Sequence, residues 1–228
     1  MMTQTHILVS VALLGRPGNA RKHAPRNAMA IAGGIVPDAA IYVLYAIEKL
    51  KGTPEATIWR DVYFSPFWQD VVAWGNSFPL FLLVLAVGFC WMKRGPIVSI
   101  LLQTTERLSF SGNTAGDEYR FDTGKLPCVF AISCLVHLAM DFPVHVDDAH
   151  RHFYPLSDFR FRSPVSYWDP RHHGVAFSIF EAITGIVLSV ILWRRFESWL
   201  ARGGIVLFAM AYLLLPVYFV MSALQFIP

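Results

Sequence analysis

Unbroken apolar runs dominate the chain, with little of the 3.6-residue alternation expected of a surface helix in a water-soluble protein. A membrane-crossing helix needs about 20 mostly apolar residues. Five stretches are read as such helices: 27–50 (NAMAIAGGIVPDAAIYVLYAIEKL), 70–92 with its run FPLFLLVLAVGFCWM, 126–143 (LPCVFAISCLVHLAMDFP), 174–193 and 204–227. The third is short and holds His137 and Asp141 at its end. Gly33, Gly34 and Pro37 predict a break in the first, turning Asp38 toward His6 and His137. Ile7 to Leu14 is too short to cross, and no basic residues precede it as in a signal peptide. It is therefore expected to be a retained, half-inserted helix. The pattern predicts one all-α domain over 1–228, a polytopic membrane helix bundle of about five transmembrane helices. A long His/Asp-rich loop spans 144–173, and 103–125 is a polar loop without legible chemistry.

Composition agrees with a membrane location. The 228 residues are 55% hydrophobic and 15% charged, against about 25% charged in an average soluble domain. Cys90, Cys128 and Cys134 lie in apolar runs and read as small hydrophobes. A net charge of +3 comes without a dense basic patch, so nucleic acid is not an expected partner; the lipid bilayer is. With the loop around Arg16, Arg21, Lys22 and Arg26 inside, alternating spans leave twelve basic residues inside and seven outside. The positive-inside rule then predicts an inner-membrane protein whose His-rich loop faces outward.

Histidine carries the chemistry. Six of the eight histidines (137, 145, 150, 152, 172 and 173) fall in about a sixth of the chain, together with Asp141, Asp147, Asp148, Asp158 and Asp169. Imidazole and carboxylate are the usual ligands of zinc, manganese or iron. His137 and Asp141 stand four apart, hence on one helix face. A solvated loop can collect His and Asp without function, and Asp147 and Asp148 could simply pair with Arg151. Ionisable residues inside apolar helices are harder to explain that way, at about 2.5–3.5 kcal/mol each on insertion scales. His6, Asp38, His137 and Asp141 share that property.

Thr5-His6 opening an apolar helix, GGIVPD at 33–38 and HLAMD at 137–141 together resemble the YdjM-like membrane-bound metal-dependent hydrolases. The resemblance implies a divalent-metal hydrolase. Two positions depart from the family pattern: Ala40 stands where a second acidic residue is common, and Asn76 precedes Ser77 where the family has histidine. The loop from His145 to His173 is the expected source of replacement ligands.

The expected metal ligands are His6, Asp38, His137, Asp141, His145 and His150, with zinc or manganese the fitting ions. Asp38, Asp141 and His145 are the expected catalytic groups, and Arg151 and Arg171 the expected holders of a substrate's anionic group. A bound metal acidifies water and polarises phosphoryl or carbonyl oxygen, so the expected reaction is hydrolysis of a phosphoester or lipid-linked substrate at the membrane surface. No GxSxG, HExxH, Walker or dinucleotide motif occurs. Two rival classes are a non-catalytic membrane scaffold and a metal or proton transporter.

Overall fold

A computed structural model describes residues 1–105 and 125–223, with side chains except at 20–21, 93–105 and 215–223. The 103–125 loop lies outside the described residues except at its ends, as does the tail of the 204–227 span. Among the described residues the elements are helical: α1 (Thr3–Leu14), α2 (Ala20–Leu50), α3 (Glu55–Thr57), a π turn (Ile58–Val62), α4 (Pro66–Gly75), α5 (Phe78–Thr105), α6 (Leu126–Asp141), a 3-10 turn (Pro170–His172), α7 (Gly174–Arg195) and α8 (Trp199–Ala223).

Among the described residues, three stretches are long and apolar enough to cross a membrane: Lys22–Leu50, Pro66–Met92 and Gly174–Arg195. The count of five is not supported. The 16 residues of α6 rise about 24 Å at 1.5 Å each, short of a hydrocarbon core about 30 Å thick. The 70–92 span is also two helices, because α4 ends at Gly75 and α5 starts at Phe78 with Asn76 and Ser77 between them. The N-terminal run is indeed a short helix of 12 residues.

Burial is arranged as expected for a bundle in lipid. Leu82, Leu83, Val87, Val175, Ile179 and Ile183 are exposed, whereas Thr5, His6, Ser10, Asn76, Ser133 and His137 are completely buried. Polar groups inside and bare apolar faces outside reverse the soluble pattern.

Helix α2 is the spine, packed by α1, α4 and α6. The predicted break at Gly33–Pro37 is absent, as α2 is continuous through both Pro25 and Pro37. The glycines serve close crossing instead. A Cβ on Gly33 would overlap Ser133 of α6, and one on Gly34 would lie 3.0 Å from the Ile7 backbone of α1. Ser133 Oγ donates to the Ala30 carbonyl at 2.7 Å, fixing the α2–α6 crossing. At the far end of α1, Arg195 donates to the carbonyls of Ala12 and Gly15, and Arg26 to that of Leu14. These cations answer the open carbonyls of a helix C-terminus.

Candidate metal centre

The start of α1, the middle of α2, the end of α6 and the loop after it meet at one end of the bundle. Close α1–α2–α6 crossing stacks the His6 and His137 rings at a centroid distance of 3.6 Å. Asp141, one turn beyond His137, puts Oδ2 3.1 Å from His137 Nε2 and Oδ1 3.0 Å from His6 Nε2. Asp38 Oδ1 lies 3.4 Å from His137 Nε2. Ligands sharing a tetrahedral ion with bonds of 2.0–2.1 Å stand about 3.3 Å apart, so these spacings suit a common cation. The amino group of Met1 also rests against Asp141 Oδ1.

Hydrogen bonds to the far side of the rings prepare them for that role. A carbonyl can only accept, so His137 Nδ1–H donates to Gly34 O at 3.0 Å and leaves the Nε2 lone pair toward the carboxylates. His145 Nδ1 bonds Asp148 Oδ2 at 2.9 Å, while its Nε2 lies 3.6 Å from Asp141 Oδ1. The Nε2 atoms of His6, His137 and His145 are buried without a hydrogen-bond partner. Orphaned polar atoms of this kind are costly unless something occupies the space between them.

The loop after α6 is firmly held. Ser163 N–H donates to His145 O, Tyr167 N–H to Val144 O and Phe78 N–H to His152 O, and Phe142 stacks on Phe161 at 4.7 Å. His145, His150 and His152 are all buried. Burial and the neighbouring His145 push the His150 pKa down to about 3, and burial pushes His152 down to about 4. Burial opposes protonation of His145 too, but the nearby carboxylates of Asp141 and Asp148 outweigh it and raise the pKa. Burial likewise opposes ionisation of Asp148, yet the hydrogen bond and charge of His145 hold its carboxyl well below the usual range.

Among the described residues, two groups satisfy the spacing of a metal site: His6, His137 and Asp141, and Asp141, His145 and His150. Asp38 belongs to neither, although it borders the first. Its Oδ2 accepts from Thr3 Oγ1, which also bonds Tyr42. The two arginines are otherwise engaged. Arg151 pairs with Asp70 and Asp158, and Arg171 forks onto Asp169. His172 belongs to neither group either, and takes part in the 3-10 turn instead.

No family matches. Compared with known proteins, the chain has no counterpart among family models, curated proteins or solved structures. Geometry and chemistry alone carry the functional reading.

Several participants were not singled out in the sequence. His152 was one of six clustered histidines, but its place beside the centre depends on its Nδ1–H bonding the Asn76 carbonyl at 3.1 Å. Asp148 had a legible signal, since it stands three residues after His145. Glu181 is a buried carboxylate in α7 that accepts from Thr5 Oγ1 at 2.6 Å and Met2 N at 2.7 Å. It thereby anchors the turn of α1 that carries His6. Its signal was a lone acid in an apolar span.

Proposed function

We propose that this protein is a membrane-embedded, metal-dependent hydrolase acting on a phosphoester or lipid-linked substrate at the membrane surface, and a divergent member of the YdjM-like family. One observation carries the reading: three buried imidazole Nε2 atoms without hydrogen-bond partners surround Asp141 at 3.0–3.6 Å. A non-catalytic scaffold has no need for so costly an arrangement. Zinc or manganese suits this mixture of imidazole and carboxylate.

A bound divalent ion supplies Lewis-acid polarisation of a phosphoryl oxygen and acidification of water. The chain's own groups do the rest. His137 and His145 present lone pairs fixed by Gly34 O and Asp148. Asp141 contributes negative charge to the cation, and Asp38, steadied by Thr3, is placed to take a proton from the attacking water. His145 would serve as a ligand and not as the acid, because a ring whose Nε2 lone pair meets the cation and whose Nδ1 is tied to Asp148 has no proton to give the leaving oxygen. Arg151 and Arg171 lie on the same loop and would exchange a carboxylate partner for the substrate's anionic group. In this reading α8 adds a crossing, and α6, too short to span, enters the bundle from one side of the inner membrane. The His-rich loop faces outward, opposite the end where Arg26 and Arg195 gather.

The test is elemental analysis of detergent-purified protein together with hydrolysis of phospholipids and lipid-linked phosphates. Wild type is expected to hold metal and hydrolyse a phosphoester. Asp141→Asn, nearly isosteric, is expected to insert and fold while losing both. Full metal content in Asp141→Asn, or no metal in wild type under any condition, would sink the hydrolase and leave the scaffold. A second reading, transport, draws on Glu181 and its partner Thr5, which bonds Tyr212 of α8 and extends polarity into the bundle. Metal flux into proteoliposomes without phosphoester turnover would favour it.

A further inference from the structure

The two ligand groups share one residue, and that arrangement decides how many ions the centre takes. In each group the ligand atoms lie within 4.8 Å of one another, and only Asp141 belongs to both. Ligands of one ion with bonds of 2.0–2.2 Å are separated by at most about 4.4 Å. A single ion therefore has access to one group or the other, and the five residues do not form one mutually close set. We propose that the centre is built for two divalent cations side by side, with Asp141 as the bridging carboxylate.

The observations around Asp141 fit a bridge. Its Oδ2 faces His137, and its Oδ1, which also accepts from the Met1 amino group, lies between His6 Nε2 at 3.0 Å and His145 Nε2 at 3.6 Å. A carboxylate with one terminal imidazole would need only one oxygen engaged; here both are surrounded by nitrogen. Asp141 is 1% exposed, so no water competes for either oxygen. The first ion takes His6, His137 and Asp141, with Asp38 Oδ1 bordering the group 3.4 Å from His137 Nε2. The second takes Asp141, His145 and His150, and keeps positions open toward the loop. The His150 ring lies 4.6 Å from that of His145 and 5.7 Å, edge-on, from that of His152.

The inference rests on the metal reading above and narrows its chemistry. Two-metal sites with ions about 3.5–4 Å apart clamp the attacking and leaving oxygens of an in-line displacement, and a pair sharing Asp141 would supply that clamp. A phosphoester is the substrate class of the proposed function that such a clamp would serve.

The experiment is a Mn(II) titration of metal-stripped, C-terminally tagged protein in detergent, read by equilibrium stoichiometry and by electron paramagnetic resonance. Wild type is expected to bind two Mn(II) per chain and to give the broadened signal of an exchange-coupled pair. His150→Ala is expected to bind one and give the six-line signal of an isolated ion. Asp141→Asn is expected to lose at least ten-fold in affinity for both. One uncoupled Mn(II) in wild type overturns the two-ion centre and leaves a one-ion hydrolase standing. No bound Mn(II), Zn(II) or Co(II) overturns both readings. The wild-type titration decides the matter even if His150→Ala fails to fold.

Discussion

At His145 the two ring nitrogens have separate duties. Nδ1 is tied to Asp148, so Nε2 is aimed at Asp141. A carboxylate behind a ligating imidazole fixes the ring's orientation and raises its basicity, and removing such a partner typically costs 10–100-fold in metal affinity. Asp148→Ala should therefore weaken binding by roughly that factor, and Asp148→Asn, whose amide oxygen can still accept, by less. Competition with a chromophoric chelator reads both, and equal affinity in wild type and Asp148→Ala would remove Asp148 from the site. His172, which belongs to neither ligand group, serves as the control: His172→Ala should leave affinity unchanged.

Among the helices, the α2 glycines determine whether the centre exists at all. Glycine to alanine inside a helix ordinarily stabilises by about 0.5–1 kcal/mol. At Gly203 of α8, where an added Cβ meets nothing within 4 Å, that gain should appear as a small rise in Tm. At Gly33 the added carbon runs into Ser133 and the Phe130 carbonyl, so α6 must move away from α2. Gly33→Ala should lower Tm and reduce metal content together, since His137 travels with α6. Thermal unfolding in one detergent compares the pair, and a matching rise in both would show that the crossing tolerates a methyl group. A proline and two glycines in an apolar span suggested a broken helix. Pro37 forfeits one backbone hydrogen bond, but α2 runs on through it, steadied by Asn76 Nδ2 donating to the Pro37 carbonyl.

Over the whole molecule, the bundle separates two ends with different chemistry. Arg16, Arg26 and Arg195 cluster around the end of α1, and the His/Asp loop closes the other end. In a Cys90→Ser background, Ser157→Cys should react with an impermeant thiol reagent outside intact cells and Ser198→Cys should not. The reverse pattern would put the His-rich loop in the cytoplasm. Acid should also loosen that end in metal-free protein. His150 and His152 have folded pKa values of about 3 and 4 against an ordinary 6.5. Below about 6.5 the unfolded chain binds protons that the folded loop refuses, so their stabilisation is complete at neutral pH and is lost as pH falls toward 4. His145 acts oppositely; its contribution is present below 6.5 and is lost only as pH rises through its raised value. Chelated protein should therefore show a falling Tm between pH 6.5 and 4. A Tm that holds or rises over that interval would contradict the neutral burial of His150 and His152.

The sequence by itself determined the class of molecule, because long apolar runs with few charges have no stable arrangement outside a lipid-like environment. It also exposed His6, Asp38, His137 and Asp141, since each is an ionisable residue where the surroundings are apolar, and that mismatch is local. How those groups are arranged around one another could not be read that way. His6 and His137 are separated by 131 positions in the chain, and their rings stack only because Gly33 and Gly34 let two helices press against a third. Tertiary packing likewise decided that Asp148 backs His145, that His152 is tied to Asn76 and that Glu181 steadies the start of α1. It left α6 too short to cross on its own, because helix ends depend on loop hydrogen bonds that apolar periodicity does not encode. The division of the cluster into two groups around Asp141 is also a matter of distances of a few ångströms. Such distances are set by helix crossings and loop closure, and no spacing along the chain records them.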